Sequence, residues 1–255
     1  MKSEESQVRG FQGKPLSRNP ALNRLFHFSL FTFHFPTRSR LLALVYLLAI
    51  AALPLRAADP ADPVIRRVEN HYNRLASLRA NFVQVYRVDE RASARQETGT
   101  LYLKKPGKMR WEYMHPEIKL FLSDGKTIFF YVPEDRQVTR IKAKESADLR
   151  TPLRFLLGRM DLKRAFRVSL AADVAPLDPG NAVLRLVPKG EGEAFRELYL
   201  EVDGRDCIRR LKVLDLDGAV TEFRLTGEVP NPPLDNALFR FQVPAGVEVV
   251  EQEAE

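Results

Sequence analysis

The stretch GTLYLKKPGKMRWEY, residues Gly99–Tyr113, decides the fold class of this 255-residue chain. Apolar or aromatic side chains occupy every second position on both sides of a Pro-Gly pair, at Leu101, Leu103, Met109, Trp111 and Tyr113. A period of two is typical of strands, and Pro-Gly marks a turn, so the stretch predicts a β-hairpin. It holds the only Trp of the chain and no His, Ser or Cys.

The same period continues along the chain. Turn signals such as Asp124-Gly125, Asp203-Gly204 and Asp217-Gly218 separate short alternating runs, and such short connections imply antiparallel pairing. The predicted strands are 80–88, 97–104, 108–114, 117–123, 127–132, 136–142, 165–171, 181–188, 194–202, 206–215 and 219–227, with a last short strand in FRFQVP at 239–244.

Helical periodicity appears in two places. Apolar residues three or four apart predict a helix over about 63–77, with Asp62 as its cap and Pro63 in its first turn. Its apolar stripe is Val64, Ile65, Val68, Tyr72 and Leu75. TPLRFLLG at 151–158 predicts a second helix, which Gly158 weakens. PPLDNALF allows one further helical turn at Asp235–Leu238.

These elements predict a mainly β (α+β) domain over residues 58–255. A sheet must cover its apolar face, and two or three short helices are too few to cover a flat sheet of eleven strands. We therefore expect a single antiparallel curved sheet of about eleven strands that forms an unclosed barrel, with the short helices as a lid.

The positive charge lies in the N-terminal segment. Residues 1–57 hold eight Lys or Arg and two acids out of the chain's 40 and 33, which leaves 32 basic and 31 acidic residues in 58–255. A nearly neutral body has no overall field that attracts a polyanion, so nucleic-acid binding is not predicted.

Residues 1–57 have the pattern of a leader. Arg38 and Arg40 precede an uncharged run of 15 residues, LLALVYLLAIAALPL at 41–55, and small residues follow. This pattern is typical of a secretory signal peptide, with cleavage expected near Ala57 or Ala58. An uncleaved anchor is the alternative, although the run is short for a bilayer span. The 37 residues before Arg38 indicate a start codon assigned too far upstream.

Cysteine usage fits an exported protein without a disulfide. Cys207 is the only cysteine, so no internal bridge can form, and no Cys follows the apolar run to accept a lipid. We expect a soluble monomer outside the cytoplasm.

The alternation predicts a large apolar interior. Composition does not distinguish a packed core from a ligand cavity, because both are lined by the same residue types. The inward strand face is also ambiguous, since Phe121, Phe129 and Tyr131 compete with Leu120, Ile128 and Phe130. The residues expected inside are Leu101, Leu103, Met109, Trp111, Tyr113, Leu120, Leu122, Ile128, Phe130, Leu153, Phe155, Leu156 and Leu157.

No catalytic or cofactor motif accompanies this surface. The sequence has no nucleophile elbow, P-loop or dinucleotide fingerprint. His115, Ser123 and Asp124 are close in sequence but indicate a turn first. His71 and His115 have no metal-ligand spacing with each other or with Cys207, and we expect both to be solvated. No enzyme activity, cofactor or metal is predicted.

Several segments in order resemble one family. The matching pieces are LASLRANFVQVY, GTLYLKKPGKMRWEY, SDGKTIFFYVPEDRQV, TPLRFLLG and FRFQVPAGVEVVEQ. Together they resemble LolA, the periplasmic carrier that moves lipoproteins from the inner to the outer membrane of Gram-negative bacteria. The similarity covers about residues 62–252 and implies an unclosed barrel with a lid.

The resemblance implies that the interior binds acyl chains of lipoproteins. The residues it implies for lipid binding are Leu101, Leu103, Met109, Trp111, Tyr113, Leu120, Phe130, Leu153, Phe155 and Leu157. Lys105 stands where many members have an Arg that ties the barrel to carbonyls of the lid helix, so Lys105 is the implied lid latch. The implied partners are a LolCDE-type exporter of the inner membrane and a LolB-type receptor, or direct delivery to the outer membrane.

Two other hypotheses remain open from the sequence. One is a LolA-like carrier of another lipid, such as a glycolipid or a free acyl product. The other is an envelope scaffold with the same fold and a filled core. A void beneath Trp111 and the 151–158 helix is expected for either carrier and not for the scaffold.

Overall fold

The structure is a computed structural model, and it describes residues 59–89, 92–142, 156, 158–190 and 195–252. These residues belong to a unit that spans Ala57–Glu255. Predictions for the leader at 1–57 and for most of the 151–158 helix, including Leu153, Phe155 and Leu157, lie outside the described residues. No helix among the described residues is long and apolar enough to cross a membrane.

Twelve strands form one sheet. Along the chain they are β1 (Ser77–Arg87), β2 (Arg95–Lys104), β3 (Lys108–His115), β4 (Lys119–Asp124), β5 (Thr127–Val132), β6 (Gln137–Lys142), β7 (Phe166–Leu170), β8 (Ala182–Pro188), β9 (Phe195–Val202), β10 (Ile208–Asp215), β11 (Val220–Pro230) and β12 (Glu248–Glu251).

The order across the sheet is β12-β6-β5-β4-β3-β2-β1-β11-β10-β9-β8-β7. Strands β1 to β11 pair with their neighbours in antiparallel fashion. Most of them begin and end within two residues of the predicted bounds. β7 and β12 form the two edges of the sheet. The predicted fold class, an unclosed antiparallel sheet, is confirmed.

The aromatic rings show that the sheet is strongly curved. Trp111 on β3 and Phe223 on β11 are three strand spacings apart, which is about 14 Å in a flat sheet. Their ring centroids lie 5.2 Å apart. The sheet therefore bends around this contact, and its concave side, here called the inner face, collects the main apolar core.

Helix α1 (Asp62–Asn73) covers the inner face with a stripe of four buried side chains, Val64, Ile65, Val68 and Tyr72. The stripe was predicted, but the helix ends four residues early because Ser77 already pairs with Lys104 as the start of β1. Ala61 rather than Asp62 is the N-cap. A second helix, α2 (Leu162–Ala165), leads into β7 and was not predicted.

The C-terminal segment lies on the opposite side, here called the outer face. A 3₁₀ helix (Asn236–Phe239) overlaps the predicted helical turn, begins one residue later with Asp235 as its N-cap, and contacts β3 and β4. The strand predicted at 239–244 is wrong, because that segment is irregular and the strand forms later, as β12. β12 pairs parallel with β6, and it is the one parallel pairing in the described sheet.

Candidate functional site

One row of side chains crosses the inner face at Trp111. Trp111 is paired with Leu101 on β2 and with Phe121 on β4, and Phe121 is paired with Phe130 on β5. Directly paired residues of antiparallel strands point to the same face. The four side chains therefore share the inner face, and Trp111 and Leu101 are fully buried there.

A second row lies one step nearer to α1. Leu103 is paired with Met109, and Met109 is paired with Ser123. The Nε1–H of Trp111 donates to Sδ of Met109, so the indole has a partner within the apolar interior. The placement of Leu101, Leu103, Met109 and Trp111 on the inward face agrees with the sequence analysis.

Gly99 explains how the aromatic rings reach each other. The Phe82 ring lies 4.9 Å from the Tyr113 ring and 4.8 Å from the Trp111 ring, both by centroids. Phe82 and Tyr113 are the two register partners of Gly99. A Cβ at Gly99 would lie 2.7 Å from the Phe82 ring and 2.0 Å from the Glu112 carbonyl oxygen. Only glycine leaves room for this close approach.

The inner face becomes polar at the end far from Lys105. The Tyr113 hydroxyl donates to Gln84 Oε1 at 2.7 Å. Lys119 pairs with Glu97, and its ammonium lies 5.2 Å from the centroid of the Tyr113 ring. These residues form a polar floor below the aromatic cluster. This floor cannot be predicted from sequence periodicity, because its members come from four different strands.

Leu120 and Leu122 were predicted to line the inner face, and this prediction is wrong because both lie on the outer face. Register pairs Leu120 with Glu112 and Tyr131, and Leu122 with Arg110 and Phe129, all on the outer face. Periodicity could not decide this point, because β4 and β5 are apolar on both faces. The outer face there is covered by Phe241, whose ring centroid lies 5.1 Å from that of Phe129.

Lys105 was implied to contact backbone carbonyls of the lid helix, and the described contact is with a carbonyl of α1. Its Nζ donates to the carbonyl oxygen of Tyr72 at 2.7 Å, in the last turn of α1. Partial burial lowers the pKa of Lys105 below its ordinary value, since the charged form loses water. Any contact with the 151–155 segment lies outside the described residues.

Tyr72 is the centre of a second set of bonds. Its hydroxyl donates to Glu228 Oε2 at 2.6 Å and accepts from the Ile208 amide at 2.8 Å. Burial, and then the nearby Glu228 charge, raise the pKa of Tyr72 well above its usual value. The hydroxyl therefore stays protonated and keeps donating, which ties α1 to β10 and β11.

The segment after the predicted lid helix is also fixed to α1. The Asn73 side chain donates to the Met160 carbonyl at 2.9 Å and accepts from the Met160 amide at 2.7 Å. Glu69 accepts from the Leu162 amide at 2.7 Å. Leu156 and Met160 are buried in the inner core. We call α1 and residues 156–162, as far as they are described, the inner cover.

The described residues enclose a small cavity beneath the last turn of α1. It measures about 10 Å³ and lies among Tyr72, Leu78, Leu103, Lys105 and Leu156. This is room for about one water molecule, whereas ligand sites measure roughly 300–1,000 Å³. A wider cleft of about 640 Å³ opens outside it, along Asn70, Asn73, Lys105 and Arg159. The void expected beneath Trp111 and the 151–158 helix lies outside the described residues, because most of that helix does.

His71 was predicted to be solvated, but its side chain is partly buried and contacts Glu228. Its Nε2 lies 2.7 Å from Glu228 Oε1, and Cys207 Sγ lies 3.6 Å from the same oxygen. Cys207 is buried, but at the end of the turn before β10 rather than within a strand. No spacing in the sequence could reveal this contact, since Glu228 is 157 positions from His71. By contrast, the Ser123-Asp124 turn is confirmed, because Asp124 Oδ1 accepts the amides of Lys126 and Thr127.

Comparison with known proteins decides the family. The family model described as outer membrane lipoprotein carrier protein LolA matches residues 73–242. This chain belongs to the LolA family. The family resemblance in the sequence analysis is thereby confirmed.

Two LolA relatives illustrate the extent of the match. The outer-membrane lipoprotein carrier protein of Dechloromonas aromatica is 31% identical over 200 residues, covering 78% of this chain and 92% of the relative. That of Methylococcus capsulatus is 31% identical over 208 residues, covering 81% and 97%. The crystal structure of a LolA superfamily protein from Nitrosomonas europaea is also similar, with 10% identity, a TM-score of 0.41, and coverage of 71% of this chain and 97% of that one.

Proposed function

We propose that this LolA-family chain is a non-catalytic carrier that shields the acyl chains of lipoproteins against the inner face of its sheet. The observation that carries the proposal is the continuous apolar inner face of a sheet whose sequence matches the LolA model over residues 73–242. The lining we propose is Leu101, Leu103, Met109, Trp111, Tyr113, Phe121, Ile128 and Phe130, with Leu153, Phe155 and Leu157 as further expected contacts.

The energy of acyl chains in water explains why a carrier is needed. At about 0.8 kcal/mol per buried methylene, some forty methylenes of a triacylated lipoprotein correspond to roughly 30 kcal/mol. Free diffusion across an aqueous compartment is negligible at that cost. The carrier must also give up its cargo, and an apolar surface with its polar groups confined to the floor and the rim allows both.

The structure represents the closed state in this proposal. Trp111 and Leu101 are fully buried on the inner face, so the inner cover must move away from the sheet for cargo to reach them. Opening must break polar bonds such as Lys105 to Tyr72 and Tyr72 to Glu228, and it must also uncover the buried apolar stripe of α1. Each polar bond contributes about 0.5–3 kcal/mol net, and the incoming acyl chains replace the apolar contacts that the helix loses.

The cellular setting of this proposal follows from the leader and the family. We place the mature domain, residues 58–255, in the periplasm after cleavage near Ala57 or Ala58. It would receive lipoproteins from a LolCDE-type exporter and pass them to a LolB-type receptor or directly to the outer membrane. It would act as a monomer.

The test is release of lipoproteins from spheroplasts by the processed protein. We expect labelled lipoproteins to leave the membrane fraction and co-purify with the carrier. Recovery of glycolipid or free acyl product alone would replace the lipoprotein assignment with the other carrier hypothesis. A protein that binds no lipid at all would favour the scaffold hypothesis.

Neighbouring aromatic residues on opposite faces supply a matched control. Phe130 lies on the inner face and Tyr131 on the outer face, and both are half-buried. Phe130→Gln should reduce lipoprotein release several-fold, whereas Tyr131→Gln should leave it unchanged in protein that remains folded. Equal losses in both variants would contradict the placement of cargo on the inner face.

A further inference from the structure

Three potential metal ligands meet where α1 ends. His71 comes from the last turn of α1, Cys207 from the turn before β10, and Glu228 from β11. His71 Nε2, Cys207 Sγ and a Glu228 oxygen all lie within 4.8 Å of one another. We propose that these three side chains bind a divalent transition-metal ion of the zinc class.

The spacing is close to what one ion requires. Zinc lies about 2.0–2.3 Å from nitrogen, oxygen and sulfur ligands, so two ligands of a tetrahedral ion are roughly 3.4–3.6 Å apart. The Sγ to Oε1 distance is already 3.6 Å. The Nε2 to Oε1 distance is 2.7 Å and would lengthen as the ion replaces that hydrogen bond. Side-chain adjustments of about 1 Å are enough.

The charges of the three groups suit a doubly charged ion. In the metal-free site, burial and the Glu228 carboxylate raise the pKa of Cys207 to about 12, so the thiol keeps its proton. A bound cation stabilises the thiolate and releases that proton. Thiolate and carboxylate together then balance the charge of the ion, while a neutral imidazole completes the set.

Hydrogen bonds from neighbouring groups orient the ligands, as they do in known metal sites. Tyr72 donates to Glu228 Oε2, and its own oxygen accepts from the Ile208 amide, which leaves Oε1 directed at His71 and Cys207. Glu228 is nearly buried, and the His71 side chain is 23% exposed. The exposed side of His71 gives the ion an entry path and leaves a fourth position for water.

A bound ion would link α1 directly to β11 and to the turn before β10. The link lies next to Tyr72, whose carbonyl accepts from Lys105. Metal binding would therefore hold the inner cover on the sheet. This inference concerns the ion and does not depend on which lipid the inner face carries.

Cobalt(II) is the spectroscopic probe, added to untagged, reduced protein as the cell processes it. We expect one equivalent to produce a thiolate-to-cobalt charge-transfer band that zinc removes by competition. Cys207→Ser should abolish the band, and His71→Gln should weaken affinity at least about tenfold. His115→Gln is the matched control, because His115 is exposed at the end of β3, and it should change nothing.

A second measurement needs no variant. Zinc added to the wild-type protein should raise its thermal unfolding midpoint, because an ion bound only by the folded site stabilises the folded state. Absence of both the charge-transfer band and this stabilisation would overturn the site. An unchanged affinity in His71→Gln would likewise overturn the three-ligand assignment.

Discussion

Lys104 and Lys105 are neighbours in sequence, yet they tie covers on opposite faces of the sheet. Lys104 Nζ donates to the Leu234 carbonyl of the C-terminal segment at 2.6 Å. Lys105 Nζ donates to the Tyr72 carbonyl of α1 at 2.7 Å. We call residues 231–247 the outer cover, because they lie over the outer face of the sheet.

The two covers differ in how their ties are distributed. The outer cover is held along its length, by Ser77 to the Pro232 carbonyl, Lys108 to Asn236 and Arg110 to the Leu238 carbonyl. It is also held by the stacked rings of Phe129 and Phe241. The inner cover is held through α1, by His71 and Tyr72 in its last turn, by Arg67 to Asp206 in its middle and by Asp62 to Lys163 in its first turn. These ties all start from one regular helix, which can move as a unit, whereas the outer cover is mostly irregular and is fixed to several strands separately.

The largest expected effect is on the outer cover. Phe239 is 1% exposed, so Phe239→Ala should lower the free energy of unfolding by about 3–5 kcal/mol in urea titration. Val243→Ala, on the same segment and exposed, should cost less than about 0.5 kcal/mol. Lipoprotein release per folded molecule should be normal in both, and a selective loss in Phe239→Ala would contradict a purely structural outer cover.

The next largest effect is expected at Tyr72, which ties α1 to β10 and β11. Tyr72→Phe leaves the buried Ile208 amide and Glu228 Oε2 without their partner, which should cost about 1–3 kcal/mol of unfolding free energy. Hydrogen exchange should accelerate in α1 more than in β3. Uniform acceleration across the sheet would mean that α1 is not a separable unit.

Alkaline pH should lower the free energy of unfolding through ionisation of Cys207, which lies beside His71 and Glu228. The unfolded thiol has a pKa near 8.5, whereas the folded one is raised to about 12. The native state then binds more protons between these values, so stability is full below about pH 8.5 and declines up to about pH 12. Without metal, the stability difference between wild type and Cys207→Ala should fall by at most about 1.4 kcal/mol per pH unit. A constant difference between pH 8 and 10 would contradict this.

The smallest effect should come from the two lysines. Lys105→Met should lower the local free energy of opening of α1 by about 1 kcal/mol, seen as roughly fivefold faster exchange in its last turn. Lys105→Arg should restore protection, because arginine offers more donors. Lys104→Met should leave α1 exchange unchanged, and equal acceleration by both Met variants would erase the distinction between the covers.

The sequence predicted the strands because their periodicity is local. Turn signals such as Pro106-Gly107 and Asp217-Gly218 fixed the connections between neighbours, and eleven antiparallel strands followed. It could not assign Leu120 and Leu122, because a strand covered on both faces has no polar side to mark its orientation. β12 was missed for another reason. It is only four residues long, EVVE, and its two adjacent valines do not alternate with polar residues.

In the candidate site too, some residues could be predicted from local sequence patterns and others could not. Trp111 and Met109 were placed on the inner face by alternation alone, and Lys105 was assigned a role by family resemblance. Tyr72 was expected only as one member of the apolar stripe of α1, and its hydroxyl contacts depend on Glu228 from a distant strand. Gly99 was quoted without a role, since the crowding around it comes from Phe82 and Glu112 on the two adjacent strands.

The parallel strand β12 has a consequence for the solution behaviour of the chain. It covers the hydrogen-bonding edge of β6 and becomes the new edge itself, but it has only four residues and a Glu at each end, so it is a poorer template for another strand than β6. A chain ending before Glu248 would present the edge of β6 to other copies of itself. We expect such a truncated protein to self-associate by strand addition, with the sedimentation coefficient rising with concentration, while the intact protein sediments as a single species. The last residues would then protect the protein from aggregation.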